Sequence, residues 1–161
     1  GPDAGVSPAA RSNLETTVDT ALVEKAVKQH LPRGWKVQWV RPRKFPGERF
    51  YHKRLGSYVR GVCEFEDKTI TCVEPTNAYN LCVFLHECGH ARFQHDRLDY
   101  AEDLALCEAE AESYAILAAG ALGVEVPKKY LAEAVDYVRD CVDAQPDASV
   151  DDCVMKFAMW A

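Results

Sequence analysis

Two histidines stand four residues apart in the stretch "FLHECGHARFQH", residues 84–95, and a glutamate follows the first of them. On a helix, His86 and His90 fall one turn apart on one face, with about 6 Å between their Cβ atoms. That spacing lets two imidazoles reach one ion. Glu87 lies about 100° further round the helix. It can approach water beside the ion without taking a ligand position. These are the mechanics of the H-E-x-x-H zinc-protease pattern. The bland alternative is an exposed helix that carries histidines on its face.

Two histidines do not complete a hydrolytic zinc site, which takes three protein ligands and leaves a position for water. The run "CEAEAESYA" offers Glu108, Glu110 and Glu112. On one helix Glu108 and Glu112 share a face and Glu110 points roughly the opposite way. With Glu108 on the ion, Glu112 sits one turn along, where it can accept the free N–H of a liganding histidine. This pairing favours Glu108 over Glu110, for which a solvated helix face is the simpler reading. Ala109, Ala111 and Ala115 would let two helices approach closely. Asp96 and His95 are the rival third ligands. Phe93 stands where a turn leading to Asp96 would want glycine, and the reach of His95 depends on the helix ending early. Tyr114, Tyr100 and His95 are the candidate oxyanion donors.

The elements that must position these groups are readable from periodicity and breakers. "SNLETTVDTALVEKAVKQHLPRG" predicts a helix, with Ser12 and Glu15 as a capping box. "WKVQWV", "SYVRGVCEF" and "TITCVE" predict strands, the last two joined by a turn at "EDK". Helices are expected from about Thr76 to Gln94 and from about Ala101 to Leu122, stopped by Gly123. Another opens at Pro127, and Ser149 can cap a last one. The order of helix, small antiparallel sheet and further helices is that of an α+β domain.

Charge is unevenly distributed along the 161 residues, whose net charge is −6. Between Arg33 and Arg60 there are nine Lys/Arg and one acidic residue; from Gly61 onward there are seven against twenty. The basic stretch also carries Trp35, Trp39, Phe45, Phe50, Tyr51 and Tyr58. Such interleaving can suit single-stranded nucleic acid; the plainer reading packs these aromatics in the core from strand positions. No run of eighteen apolar residues predicts a membrane span. Residues 1–13 read as a disordered tail that begins with a cleavage scar, ahead of one domain over 14–161. Seven cysteines, an odd number with no C-x-x-C pair, predict reduced and mostly buried thiols in a cytoplasmic protein.

The run "GVCEFEDKTITCVEPTNAYNLCVFLHECGHARFQH" followed by "EAEAESYAILAAGALG" resembles the ImmA/IrrE family of zinc metallopeptidases. It also resembles the metallopeptidase half of ArdC-like antirestriction proteins. The resemblance covers roughly residues 58 to 123 and rests on His86, Glu87, Gly89 and His90, then Glu108, Glu110, Ala111, Tyr114 and Ala115. Glu112 stands where many relatives carry Asn or Asp. The resemblance implies a zincin-like (gluzincin) domain, with the H-E-x-x-H helix packed on further helices. It implies zinc held by His86, His90 and Glu108, with Glu87 as general base. The implied substrate is a specific protein, a repressor-like or antitoxin-like regulator. Independently of the resemblance, the edge of the sheet over residues 58 to 65 can bind an extended peptide as an added strand. The alternative from a different class is a zinc-stabilised module that binds nucleic acid or protein without turnover.

Overall fold

The computed structural model describes residues 17–97, 100–145 and 150–159, and the backbone alone at 97 and 100–102. The expected tail, the Ser12–Glu15 capping box and Ser149 lie outside the described residues. Helix α1 spans Thr20–His30, shorter at its start than periodicity predicts. Thr17 instead bridges Asn77, and the Val18 N–H donates to the Thr76 carbonyl at 3.1 Å. The β-branched pair Thr17–Val18 favours extended backbone. Asp19 then caps the helix by accepting the Leu22 N–H at 2.8 Å.

Five strands follow: β1 (Lys36–Val40), β2 (Phe50–His52), β3 (Ser57–Val59), β4 (Gly61–Glu64) and β5 (Thr69–Val73). They form two sheets, one ordered β1-β5-β4 and one a β2-β3 ribbon. The larger sheet is mixed rather than antiparallel. β4 runs antiparallel to β5, but β1 pairs parallel to it, Lys36 opposite Thr69 and Val40 opposite Val73. The cause is the excursion between β1 and β5. Ribbon and hairpin together return the chain to the end at which β1 began, and a parallel pair needs such a crossover. The turn expected at "EDK" closes with Lys68 at φ 49° and its N–H donating to the Phe65 carbonyl at 3.3 Å. The predicted strand "SYVRGVCEF" breaks at Arg60, so its halves serve different sheets.

Among the described residues four more α-helices follow, α2 (Ala78–Arg92), α3 (Tyr100–Ala121), α4 (Lys128–Ala144) and α5 (Asp152–Met159), with a short 3-10 turn at His95–Arg97 between α2 and α3, which makes the chain α+β. Asn77 caps α2 by accepting the Asn80 N–H at 2.8 Å. Asp151 caps α5 through the Cys153 N–H at 2.7 Å. α2 is buried nearly all round. Its Leu81, Phe84, Leu85 and Cys88 belong to the main core with Ile70 and Cys72 of β5, and Trp39 of β1 packs on Phe84 with ring centroids 5.3 Å apart. α4 buries Tyr130, Ala134, Val135, Val138 and Cys141, one stripe at helical spacing. Gly123, at φ 78°, ends the segment after α3. No helix among the described residues is long and apolar enough to cross a membrane. All seven cysteines are free; five are buried, Cys63 is half-buried and Cys153 is exposed.

Candidate metal centre

α2 and α3 approach at backbone distance because Gly89 faces Ala111. A Cβ built on Gly89 would stand 3.0 Å from the Ala111 Cα and 3.1 Å from the Tyr114 Cβ. This contact lies within the functional stretch of both helices: on α2 His86 stands three residues before Gly89 and His90 directly after it, and on α3 Glu108 stands three residues before Ala111. His86, Glu87 and His90 present ligand atoms within 4.8 Å of one another, so this group can hold a metal ion. Glu108 comes to the same point. His86 Nε2 lies 3.0 Å from His90 Nε2 and 3.3 Å from Glu108 Oε2, and His90 Nε2 lies 3.5 Å from that oxygen. A tetrahedral ion with ligand bonds of about 2.0–2.1 Å has ligand-to-ligand edges of about 3.3 Å. The three donors therefore stand as one face of such a tetrahedron. Two imidazoles and a carboxylate are also a donor set that zinc takes in hydrolases.

Each histidine is backed on its other nitrogen. His86 Nδ1 meets Glu112 Oε1, and the same oxygen accepts the Tyr130 hydroxyl at 2.7 Å. His90 Nδ1 meets His95 Nδ1 at 2.7 Å, and His95 Nε2 lies 3.4 Å from Glu110 Oε1. α2 does end early, at Arg92, and Gln94 turns left-handed at φ 53°. That turn folds His95 back beneath His90, where it is 3 % exposed. His95 thus reaches the far nitrogen of His90 rather than the point where His86, His90 and Glu108 converge. When His90 uses the Nε2 lone pair on an ion, its proton sits on Nδ1 and must be accepted by His95 Nδ1. His95 then carries its own proton on Nε2, toward Glu110. Glu110 is therefore more than a solvated position, although it stays half-exposed.

Electrostatics follow this packing. Burial opposes charge on His86, but Glu112 and Glu108 outweigh it and raise its pKa well above the ordinary value. Burial would raise Glu108; hydrogen bonds from His86 and His90 reverse this and hold it below the usual carboxylate range. Glu87 is pushed up by burial, against the pull of His86 and His90. Burial, then the charge of His90, lowers His95 to about 4. Glu87 Oε2 is buried without a hydrogen-bond partner among the described residues. Such an oxygen is costly unless a proton donor faces it.

Glu87 and His86 open on a cleft of about 260 Å³, walled by Val59, Arg60 and Gly61 on one side and by Tyr130, Ala134 and Tyr137 of α4 on the other. Gly61 makes room for the glutamate, since a Cβ there would stand 3.1 Å from Glu87 Cγ. Two of the expected oxyanion donors do not line this cleft. Tyr114 donates to or accepts from His30 Nδ1 at 2.6 Å and faces a separate apolar cavity with Phe93 and Leu117; His95 is occupied beneath His90. The side chain of Tyr100 lies outside the described residues. Asp96 is exposed and lines a different surface hollow with Arg33 and Trp35. The tyrosines of α4 were missed in the sequence. Their seven-residue spacing puts Tyr130 and Tyr137 on one helix face, but nothing in the sequence says what that face meets. Compared with known proteins, the chain matches no family model, no curated protein and no solved structure.

Proposed function

We propose that the protein is a zinc-dependent metallopeptidase that hydrolyses a peptide bond in a specific protein partner. The observation that carries this reading is the tetrahedral-face spacing of His86, His90 and Glu108, with Glu87 beside it on an open cleft, its buried Oε2 without a hydrogen-bond partner among the described residues. On this reading the domain is zincin-like, of the gluzincin kind, and akin to the ImmA/IrrE peptidases. Zinc, when bound, lowers the pKa of water toward about 7 and polarises the scissile carbonyl. His86, His90 and Glu108 hold the ion; Glu112 and His95 fix the tautomers of the two imidazoles. Glu87 takes the proton of the attacking water and passes it to the leaving amine, and the upward push on its pKa brings it nearer the range a general base needs. Tyr137 replaces Tyr114 as the candidate oxyanion donor, because it lines the cleft with Glu87 and His86. β4 is an edge strand, and its free edge can take an extended peptide by strand addition.

Glu87→Gln tests the reading. The change is nearly isosteric and spares all three ligands. Zinc content and melting temperature should stay at wild-type values, while cleavage of a repressor-like or antitoxin-like protein from the same genetic neighbourhood falls by at least about a hundredfold. A wild-type biological effect that persists undiminished in Glu87→Gln leaves the chain a metal-stabilised binding module and ends the enzyme reading.

A further inference from the structure

The basic, aromatic segment between β1 and β4 is not absorbed by the metal centre. Its aromatics divide by strand face. Phe50 is 3 % exposed and pairs with Val59, whereas Tyr51 and Tyr58, paired across the ribbon, are 52 % and 65 % exposed. Their ring centroids lie 5.4 Å apart. Phe45, in the loop before the ribbon, is 59 % exposed, with the Lys44 ammonium 5.3 Å from its ring centroid. This corrects the plainer expectation for the segment: Phe50 packs inward and Trp35 and Trp39 are half-buried, but three of the six aromatics face solvent. Exposed aromatics grouped on one short segment, two of them in ring contact, are the kind of apolar surface that marks an interaction site.

The charges divide in the same way. Arg54 is held by Glu64 at 2.6 Å and Asp67 at 3.0 Å, and Arg60 by Glu133 at 3.3 Å. Those pairs offset Glu64, Asp67 and Glu133; Glu48, the one acidic residue of the segment, accepts the Phe45 N–H at 3.3 Å. Arg41, Arg43, Lys44, Arg49 and Lys53 are all exposed, and none makes an ion pair with a described residue. The segment from 33 to 60 is +8, nine basic less one acidic, so the rest of the chain is −14 for a total of −6. A polyanion is thus attracted to this segment and repelled elsewhere. The loop is also held in place: the Gly47 N–H donates to Asn80 Oδ1 at 3.2 Å and its carbonyl accepts Arg60 Nε at 2.9 Å.

We infer that the β2–β3 ribbon and the loop before it bind single-stranded nucleic acid, with phosphates on Arg41, Arg43, Lys44, Arg49 and Lys53 and bases against Tyr51, Tyr58 and Phe45. A partner that is merely acidic needs the cations but gains little from three open rings; unpaired bases use both. A duplex keeps its bases stacked away from those rings. Arg49, next to the ribbon, and Val59, its last residue, also line the cleft. A bound strand therefore lies beside the metal centre. The inference stands whether or not the cleft cuts peptides.

The test is fluorescence anisotropy on the full chain with oligothymidine and oligouridine of about twenty nucleotides, a duplex of equal length and polyglutamate as competitor. Both single strands should bind more tightly than the duplex, and the ratio between the two says whether DNA or RNA is preferred. Tyr51→Ala with Tyr58→Ala should weaken single-strand binding by about tenfold or more at unchanged salt slope. Arg41→Glu with Arg43→Glu and Lys44→Glu should flatten the slope of log affinity against log salt by about two, since each phosphate neutralised on a single strand contributes about 0.7. Zinc content and melting temperature report that both variants fold. Equal or tighter duplex binding, displacement by polyglutamate as effective as by the single strand, or indifference to the tyrosine pair would each overturn the inference.

Discussion

Replacing His95 by alanine removes the acceptor for the His90 Nδ1 proton and touches none of the three proposed metal ligands. The cost falls on the metal-bound state in particular. Without an ion, His90 can move its proton to Nε2, which lies 3.5 Å from Glu108 Oε2, and so avoid an unsatisfied donor. With an ion on Nε2 the proton has to sit on Nδ1, at a position 8 % exposed. A buried donor left without its partner costs about 1–3 kcal/mol. By that figure zinc affinity should fall by about five- to 150-fold, which brackets the usual effect of removing such a backing group. Competition against a chromogenic chelator at fixed pH measures it directly. His95→Asn is the companion variant: its amide oxygen can take the place of Nδ1, and affinity should recover to within about threefold of wild type. The metal-free melting temperature should drop by similar amounts in both variants, since both lose the ring. If His95→Ala binds zinc as tightly as wild type, or if the asparagine variant is no better than alanine, the backing role is refuted and His95 only fills space.

Glu108→Ala should remove most bound zinc by elemental analysis, whereas Asp96→Ala should keep full occupancy because Asp96 faces a different hollow; the reverse result would displace Glu108 from the ligand set. The metal-free protein should also show a distinctive pH dependence. The folded-state pKa of His86 is raised, so its ion pair stabilises the fold fully below about pH 6.5 and that contribution is lost as pH climbs through the raised value. Glu108 is depressed, so its share is present above about 4.5 and disappears only in stronger acid. In chelator, the melting temperature should therefore decline from neutral pH into the alkaline range. With excess zinc the alkaline decline should vanish, because the ion takes the position of the proton. Parallel curves with and without zinc would contradict the geometry of the pair.

What could be read in advance was local. His86, Glu87 and His90 are related by helix geometry alone, and so are Glu108 and Glu112. The placement of Glu112 against His86 follows once two such helices are set face to face, and small residues at Gly89 and Ala111 indicate that they can be. The role of His95 could not be read, because it depends on a left-handed turn at Gln94, and glutamine is not a residue that announces one. Asn or Gly there would have been a signal. The parallel pairing of β1 was equally hidden. Strand direction is set by what lies between the strands, and of the ribbon interposed at Phe50–Val59 the sequence pattern predicts only the second strand. In that ribbon, both faces carry aromatics, Phe50 on one and Tyr51 on the other. Alternation alone does not say which face meets the core, and a one-residue slip exchanges them.

The contact between Gly89 and Ala111 also bears on transplanting the site. Ordinary packed helices keep their axes about 8–10 Å apart. Grafting two histidines and a glutamate onto such a pair would copy the ligands without the spacing, and Glu108 would stop short of the ion. The portable unit includes the two small residues, which carry no chemistry. In a host built with them, the helices settle before the ion arrives, and the edges of the tetrahedron are set by backbone rather than by the pull of the metal. A library that randomised the ligands over this frame would be exploring chemistry at a fixed geometry. One that held the ligands and randomised positions 89 and 111 would be exploring geometry, and most of its members would be expected to lose the ion.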